Sequence, residues 1–215
     1  MVKAVVFDLG KVLVDFDYRI AARRIAARSR MTAEELGAYM MKSPLFVDYE
    51  TGLLTSQRFF EQIRAATGFA GGFEEFGDFF ADIFAPIEPM VSLHAQLRGA
   101  GLPTYIFSNT NELAVRHIRQ AFPFFSNFDG YVLSYEHGSM KPDAKLYEVV
   151  ERHSGHRGPD LLYLDDRPEN IAGGAARGWH SILHETPERT EKAIRELGLL
   201  NHAPQAAIDL PSAGH

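Results

Sequence analysis

The sequence predicts an α/β fold, a doubly wound parallel sheet interrupted early by an all-helical insert. Three observations carry that prediction. Short apolar runs end abruptly on polar residues at Asp8, Ser108 and Asp165, as strands buried on both faces of a parallel sheet do. From Pro86 onward such runs alternate with helical patterns, the βαβ arrangement that makes neighbouring strands parallel. Between the first run and the second, residues 17–85 carry helical periodicity and no strand pattern.

Taken in order, Val2 to Phe7 is mostly β-branched and apolar and forms the first strand, ending on Asp8 with Gly10 two residues later. Val12 to Phe16 reads as a turn and a short extended pair. Tyr18 to Arg30 places Ile20, Ala21, Ile25 and Ala26 among arginines, an amphipathic helix. Thr32 and Glu35 match a capping box that opens a second helix through about Met41. Asp48 to Gly52 reads as a polar loop. Thr55 or Ser56 caps a third helix containing Phe59, Phe60 and Ile63, and Phe73 to Phe84 forms a fourth. The phenylalanines of this insert are expected to be its own core.

After Pro86 the expected order is a helix over Met90–Gly99 and a strand over Thr104–Phe107. A helix over Glu112–Ala121 and a strand over Tyr131–Leu133 come next. Lys141-Pro142-Asp143 introduces a helix to about His153, and Leu161–Leu164 is a strand. Pro168 sits at the first turn of the next helix, His180–Leu183 is a strand, and Glu188–Leu197 is the last helix. The crossovers should be right-handed, giving a Rossmann-like sheet. The domains are therefore a core of residues 1–16 and 86–200, a helical cap of 17–85, and an Ala- and Pro-containing tail of 201–215.

Composition restricts what such a protein does. The 215 residues are 46% hydrophobic and 23% charged, enough for a sizeable core. A net charge of −6 argues against nucleic acid and anionic membrane as partners. No segment approaches the roughly 18 apolar residues of a membrane span. The absence of cysteine excludes disulfides, thiolate metal sites and cysteine nucleophiles. The N-terminus shows no signal-peptide pattern, so the expected location is cytoplasmic. Nothing in the sequence specifies an oligomeric state.

The polar residues after the strands carry the chemistry. Asp8, Ser108 with Asn109, Lys141 before a helix, and Asp165 with Asp166 all fall at the carboxyl edge of one sheet, where open α/β folds place ligands. Each has an ordinary structural explanation as a cap or a turn. Together they assemble carboxylates, a hydroxyl, an amide and an ammonium, which suits a divalent cation plus a phosphate. Mg²⁺ takes hard oxygen ligands, which Asp8, one of Asp165 and Asp166, and a backbone carbonyl supply. Lys141 adds positive charge, and Ser108 with backbone amides donates hydrogen bonds to phosphoryl oxygens.

The ordered set VVFDLGKVLVDF, IFSNT, SMKP and LLYLDDRPENI resembles the haloacid dehalogenase superfamily of hydrolases. It is most similar to the branch of small sugar-phosphate phosphatases typified by α-glucose-1-phosphate phosphatases. The resemblance implies a Mg²⁺-dependent phosphatase of a small phosphorylated metabolite. Asp8 is then the nucleophile forming an aspartyl-phosphate, and the Gly10 carbonyl and Asp166 are metal ligands with Asp165 in support. Ser108, Asn109 and Lys141 are on the phosphate, and Asn170 orients the last loop. The cap loop implies substrate contacts from Glu50 and Thr51.

One position departs from the pattern. The superfamily's phosphatases carry a second aspartate two residues after the nucleophile as general acid and base, and its dehalogenases carry a tyrosine there. This chain has Gly10. General acid–base catalysis contributes typically 10²–10⁴-fold, so a substitute donor is expected among Lys11, Asp15, Glu50 or a cap-side water. A carbon–halogen hydrolase and a phosphate-binding protein with little turnover are the alternatives.

Overall fold

A computed structural model describes residues 1–200, apart from the side chains of Met41 and Lys42. The tail over 201–215 lies outside the described residues. Five strands form one parallel sheet: β1 (Ala4–Phe7), β4 (Thr104–Ser108), β5 (Gly130–Leu133), β6 (Leu161–Asp165) and β7 (His180–Leu183), in the order β5-β4-β1-β6-β7. The chain builds outward from β1 on one side through β4 and β5, then crosses back to β6 and β7. The strand order therefore reverses between β1 and β6, the position where such sheets open a ligand crevice.

Alternation along β1 explains the layers. Val5 and Phe7 face one apolar layer with α6 (Glu88–Gly99), α7 (Glu112–Ala121) and α11 (Pro187–Glu196). Ala4 and Val6 face the other, with α9 (Ala144–Ser154) and Trp179, which follows α10 (Pro168–Ala176). All four residues are fully buried, and each large apolar side chain so buried contributes about 1.5–3 kcal/mol.

The segment between β1 and β4 contains α1 (Tyr18–Ala26), α2 (Ala33–Lys42), α3 (Leu45–Glu50), α4 (Ser56–Thr67) and α5 (Phe73–Ala81). These helices build a separate apolar cluster around Phe59, Phe60, Phe76 and Phe80. Thr32 and Glu35 form the expected capping box, and Thr55 caps α4. Both passages between sheet and helices run through a small antiparallel ribbon of β2 (Val14–Phe16) and β3 (Phe84–Pro86), with Phe16 opposite Phe84.

Three sequence expectations are corrected. The first helix ends at Ala26 rather than Arg30, because residues 28–30 leave it to pair with the end of α4: Arg30 N donates to the Thr67 carbonyl at 2.8 Å and Ala70 N to the Arg28 carbonyl at 2.8 Å. The helix expected over Phe73–Phe84 ends at Ala81, because Phe84 is taken by the ribbon. Residues 48–50 are not loop but the end of α3, whose Leu45 and Tyr49 are buried in the helical cluster.

Candidate active site

Asp8 follows β1, and its backbone N–H donates to the Leu164 carbonyl at 2.8 Å, which fixes it beside the end of β6. Its Oδ1 accepts from the Leu9 N–H at 2.7 Å and lies 3.0 Å from the Lys141 ammonium. Lys141 also donates to Asp165 at 2.6 Å and to the Phe107 carbonyl at 2.8 Å, so all three of its protons are engaged. The loop carrying Lys141 is clamped by Asn109, whose Oδ1 accepts from Lys141 N at 2.7 Å and whose Nδ2 donates to the Lys141 carbonyl at 3.0 Å. Asn109 thus spends its side chain on positioning Lys141.

Asp165 is saturated. One oxygen accepts from Lys141, from the Tyr163 hydroxyl at 2.5 Å and from Asn170 Nδ2. The other accepts from the Arg167 N–H at 2.8 Å and from Asn170 at 3.0 Å. Asn170 is buried, and its own carbonyl accepts from Tyr147 at 2.7 Å. Asp166 is half-buried, and its carboxylate accepts no hydrogen bond from another residue among the described residues. Ser108 is buried at the same edge, its hydroxyl only 3.3 Å from the Asn109 carbonyl.

Three carboxyl groups face one ammonium here. Burial pushes the Asp8 carboxyl up; Lys141 offsets this only in part, and Asp165 adds to it. Burial and then Asp165 push Asp166 up as well. Asp165 goes the other way: burial raises it, but Lys141 together with the hydrogen bonds from Tyr163 and the Arg167 N–H lowers it by more. Burial works against the Lys141 ammonium, and the two facing carboxylates hold it above its usual range. The site is short of positive charge. Carboxylate oxygens of Asp8, Asp165 and Asp166 lie within 4.8 Å of one another. An all-oxygen donor set with excess negative charge fits Mg²⁺, with Asp8 and Asp166 available and Asp165 already occupied.

These groups floor a cleft of about 350 Å³ between sheet edge and helices. Gly10, Glu50 and Asn170 also border it. Thr51 does not reach it: its hydroxyl turns back to donate to the Val47 carbonyl at 2.6 Å. Glu50 is presented into the cleft because its end of α3 is fastened to the core. Ser134, at the start of α8 (Ser134–His137), donates to the Glu50 carbonyl at 2.5 Å and also supports Thr110. Gly52 (φ 78°) packs so tightly that a Cβ there would fall 2.0 Å from the Tyr135 carbonyl oxygen. Burial pushes the Glu50 carboxyl up to about 7, with Arg167 lowering it and Asp8 raising it.

The place left by Gly10 is filled. A Cβ on Gly10 would meet the Phe16 ring at 2.9 Å, and that ring is held between Tyr18 and Phe84. Lys11 also borders the cleft, but its ammonium is held by Asp15 and by the Phe16 carbonyl at 2.9 Å. The motif spacing gives no sign of Arg167, Tyr18 or Phe46, which also line the cleft. Arg167 stands inside the DDRPEN motif, a signal that position alone offers.

Comparison with known proteins identifies the family and the fold. Residues 2–178 match the haloacid dehalogenase-like hydrolase family. A sesquiterpene phosphatase of Aspergillus oryzae is 25% identical, over 82% of this chain and 86% of that protein. The pyrimidine 5′-nucleotidase YjjG of Escherichia coli is 29% identical, over 85% of this chain and 88% of its own. Among solved structures, a haloacid dehalogenase family enzyme of Bacteroides thetaiotaomicron in complex with magnesium and inorganic phosphate has the same fold. Its TM-score is 0.75 at 22% identity, covering 85% of this chain and 94% of that one.

Proposed function

The chain belongs to the haloacid dehalogenase-like hydrolase family, and we propose that it is a Mg²⁺-dependent phosphatase working through an aspartyl-phosphate on Asp8. The observation that carries this reading is the charge deficit at the strand ends. Two carboxyl groups, Asp8 and Asp166, are raised by burial beside a single ammonium that is already fully engaged. Asp8, Asp166 and the Gly10 carbonyl would hold Mg²⁺, which when bound would supply the missing charge and shield an anionic phosphate from an anionic nucleophile. A carbon–halogen hydrolase needs no such cation.

This chain's residues divide the remaining work. Asp8 attacks phosphorus, and the bond from phosphorus to the leaving oxygen breaks. Lys141 and Asn109 hold Asp8 and the neighbouring loop in register, and Asn170 with Tyr163 fixes Asp165, which in turn fixes Lys141. Ser108 donates to a phosphoryl oxygen. Glu50 gives its proton to the leaving oxygen and then takes one from the water that attacks the aspartyl-phosphate, releasing phosphate and the Asp8 carboxylate. Glu50 is favoured over the other candidates because Lys11 and Asp15 are tied to each other and Phe16 occupies the space beside Gly10.

The test is phosphate release from p-nitrophenyl phosphate and a panel of metabolite monophosphates, with Mg²⁺ and with chelator. The expected result is release that needs Mg²⁺ and disappears in Asp8→Asn. Full activity in Asp8→Asn, or phosphate binding without any release by the wild type, overturns the reading.

A further inference from the structure

A second cavity, of about 530 Å³, lies among α1, α2 and the beginning of α3. Its lining includes Ala22, Gly37, Ala38 and Met40, with Tyr18 and Phe46. Those last two residues also line the catalytic cleft. Their rings meet edge to face at 5.2 Å and form the boundary common to both spaces. On the cleft side the aromatic surface continues from Tyr18 to Phe16 at 5.3 Å and from Phe16 to Phe84 at 5.8 Å. A row of rings therefore leads from above the polar floor to the second cavity.

The helices give the cleft little polar chemistry. Glu50 is their one carboxyl there and Tyr18 their one phenol; the rest of their contribution is apolar. A leaving group rich in hydroxyls needs a partner for each one it buries, and an unpaired buried hydroxyl costs about 1–3 kcal/mol. A hydrocarbon needs none. Gly37 points the same way. Glycine within a helix costs roughly 0.5–1 kcal/mol relative to alanine, yet a Cβ at Gly37 would meet nothing within 4 Å among the described residues. The side chain is missing where no described side chain stands beside it.

We infer that the second cavity receives the hydrocarbon tail of the leaving group, and that the substrates are monophosphates of long aliphatic or prenyl alcohols rather than of sugars. This rests on the phosphatase reading and narrows it. The tail passes along the Tyr18–Phe46 pair, and Arg19, Arg23, Ala33 and Glu34 complete the cavity's lining.

The test is kcat/KM for methyl, butyl, octyl and farnesyl phosphate, with glucose 1-phosphate and p-nitrophenyl phosphate alongside. Burying one methylene is worth about 0.8 kcal/mol. The expected gain is therefore roughly threefold to fourfold per added methylene until the cavity is full. Gly37→Leu, whose new Cβ meets nothing within 4 Å among the described residues, should lower the ratio of octyl to methyl phosphate turnover by tenfold or more, and Ala38→Leu should do the same. A flat chain-length series, or glucose 1-phosphate turned over better than octyl phosphate, overturns the inference while leaving the phosphatase reading intact. Hydrolysis of no monophosphate, p-nitrophenyl phosphate included, ends the phosphatase reading and this inference with it.

Discussion

On the core side of the cleft, the polar atoms of Lys141 and Asp165 are held by other polar atoms. Lys141 gives its three protons to Asp8, Asp165 and Phe107, and Asp165 accepts from four different residues. On the cap side, Tyr18 and Phe46 touch other rings, and the Glu50 carboxylate accepts no hydrogen bond from another residue among the described residues. The first surface is a fixed electrostatic frame, suited to a phosphate group that is the same in every substrate. The second is shaped by packing, suited to leaving groups that differ. Substitutions on the two sides should therefore fail differently.

The largest effect is expected at Lys141. Lys141→Met leaves Asp8 and Asp165 buried and uncompensated, a change that costs about 3–5 kcal/mol when one partner of a buried pair is removed. Urea unfolding should show that loss, and hydrolysis should vanish for every substrate alike. A variant that remains stable and discriminates among substrates would contradict the fixed-frame account.

Next comes Glu50. Its carboxyl is raised from the ordinary glutamate range to about 7 in the folded protein. Protonated Glu50 thus favours the folded state fully below its unfolded value, and that contribution is lost as pH rises through about 7. As proton donor it must be protonated, so kcat/KM should fall as pH climbs past the same value. Glu50→Gln should lower kcat on the order of 10²-fold and abolish that alkaline limb. It should do so least for substrates with acidic leaving groups such as p-nitrophenol.

The smallest effect is expected where the two sides are fastened. Gly52→Ala sets a methyl group against the Tyr135 carbonyl oxygen and must lift the end of α3. A loss of roughly 1–3 kcal/mol should appear in thermal unfolding, together with a higher KM and a smaller change in kcat. Equal loss in kcat for all substrates would mean that the fastening belongs to the frame instead.

The same division decided what the sequence makes legible. Asp8, Ser108, Asn109, Lys141, Asp165 and Asp166 each stand at a strand or helix boundary, and parallel topology brings such boundaries to one edge. The strand-end groups are therefore recognisable before any contact is known. Asn170 comes from the resemblance alone, and the structure has its amide donating to Asp165 at 3.0 Å. The cap side offers no such rule. Glu50 and Thr51 are neighbours in sequence, but α3 aims one into the cleft and turns the other back on Val47. A six-residue helix entered through Pro44 is too short for periodicity to reveal it. Phe46 looks like the other phenylalanines of the insert and Phe16 like the end of a short extended pair, and only tertiary packing places them on the cleft. Gly10 shows that a side chain is missing, while only the structure shows that Phe16 has taken its room.

The central claim is that Asp8 carries the phosphoryl group. The most direct measurement is acid quench during turnover of p-nitrophenyl phosphate with Mg²⁺, followed by peptide mass mapping. The account predicts a phosphoryl group on the peptide containing Asp8 in the wild type and none in Asp8→Asn. Steady turnover with no phosphoryl group on Asp8, or with one on another residue, would contradict it.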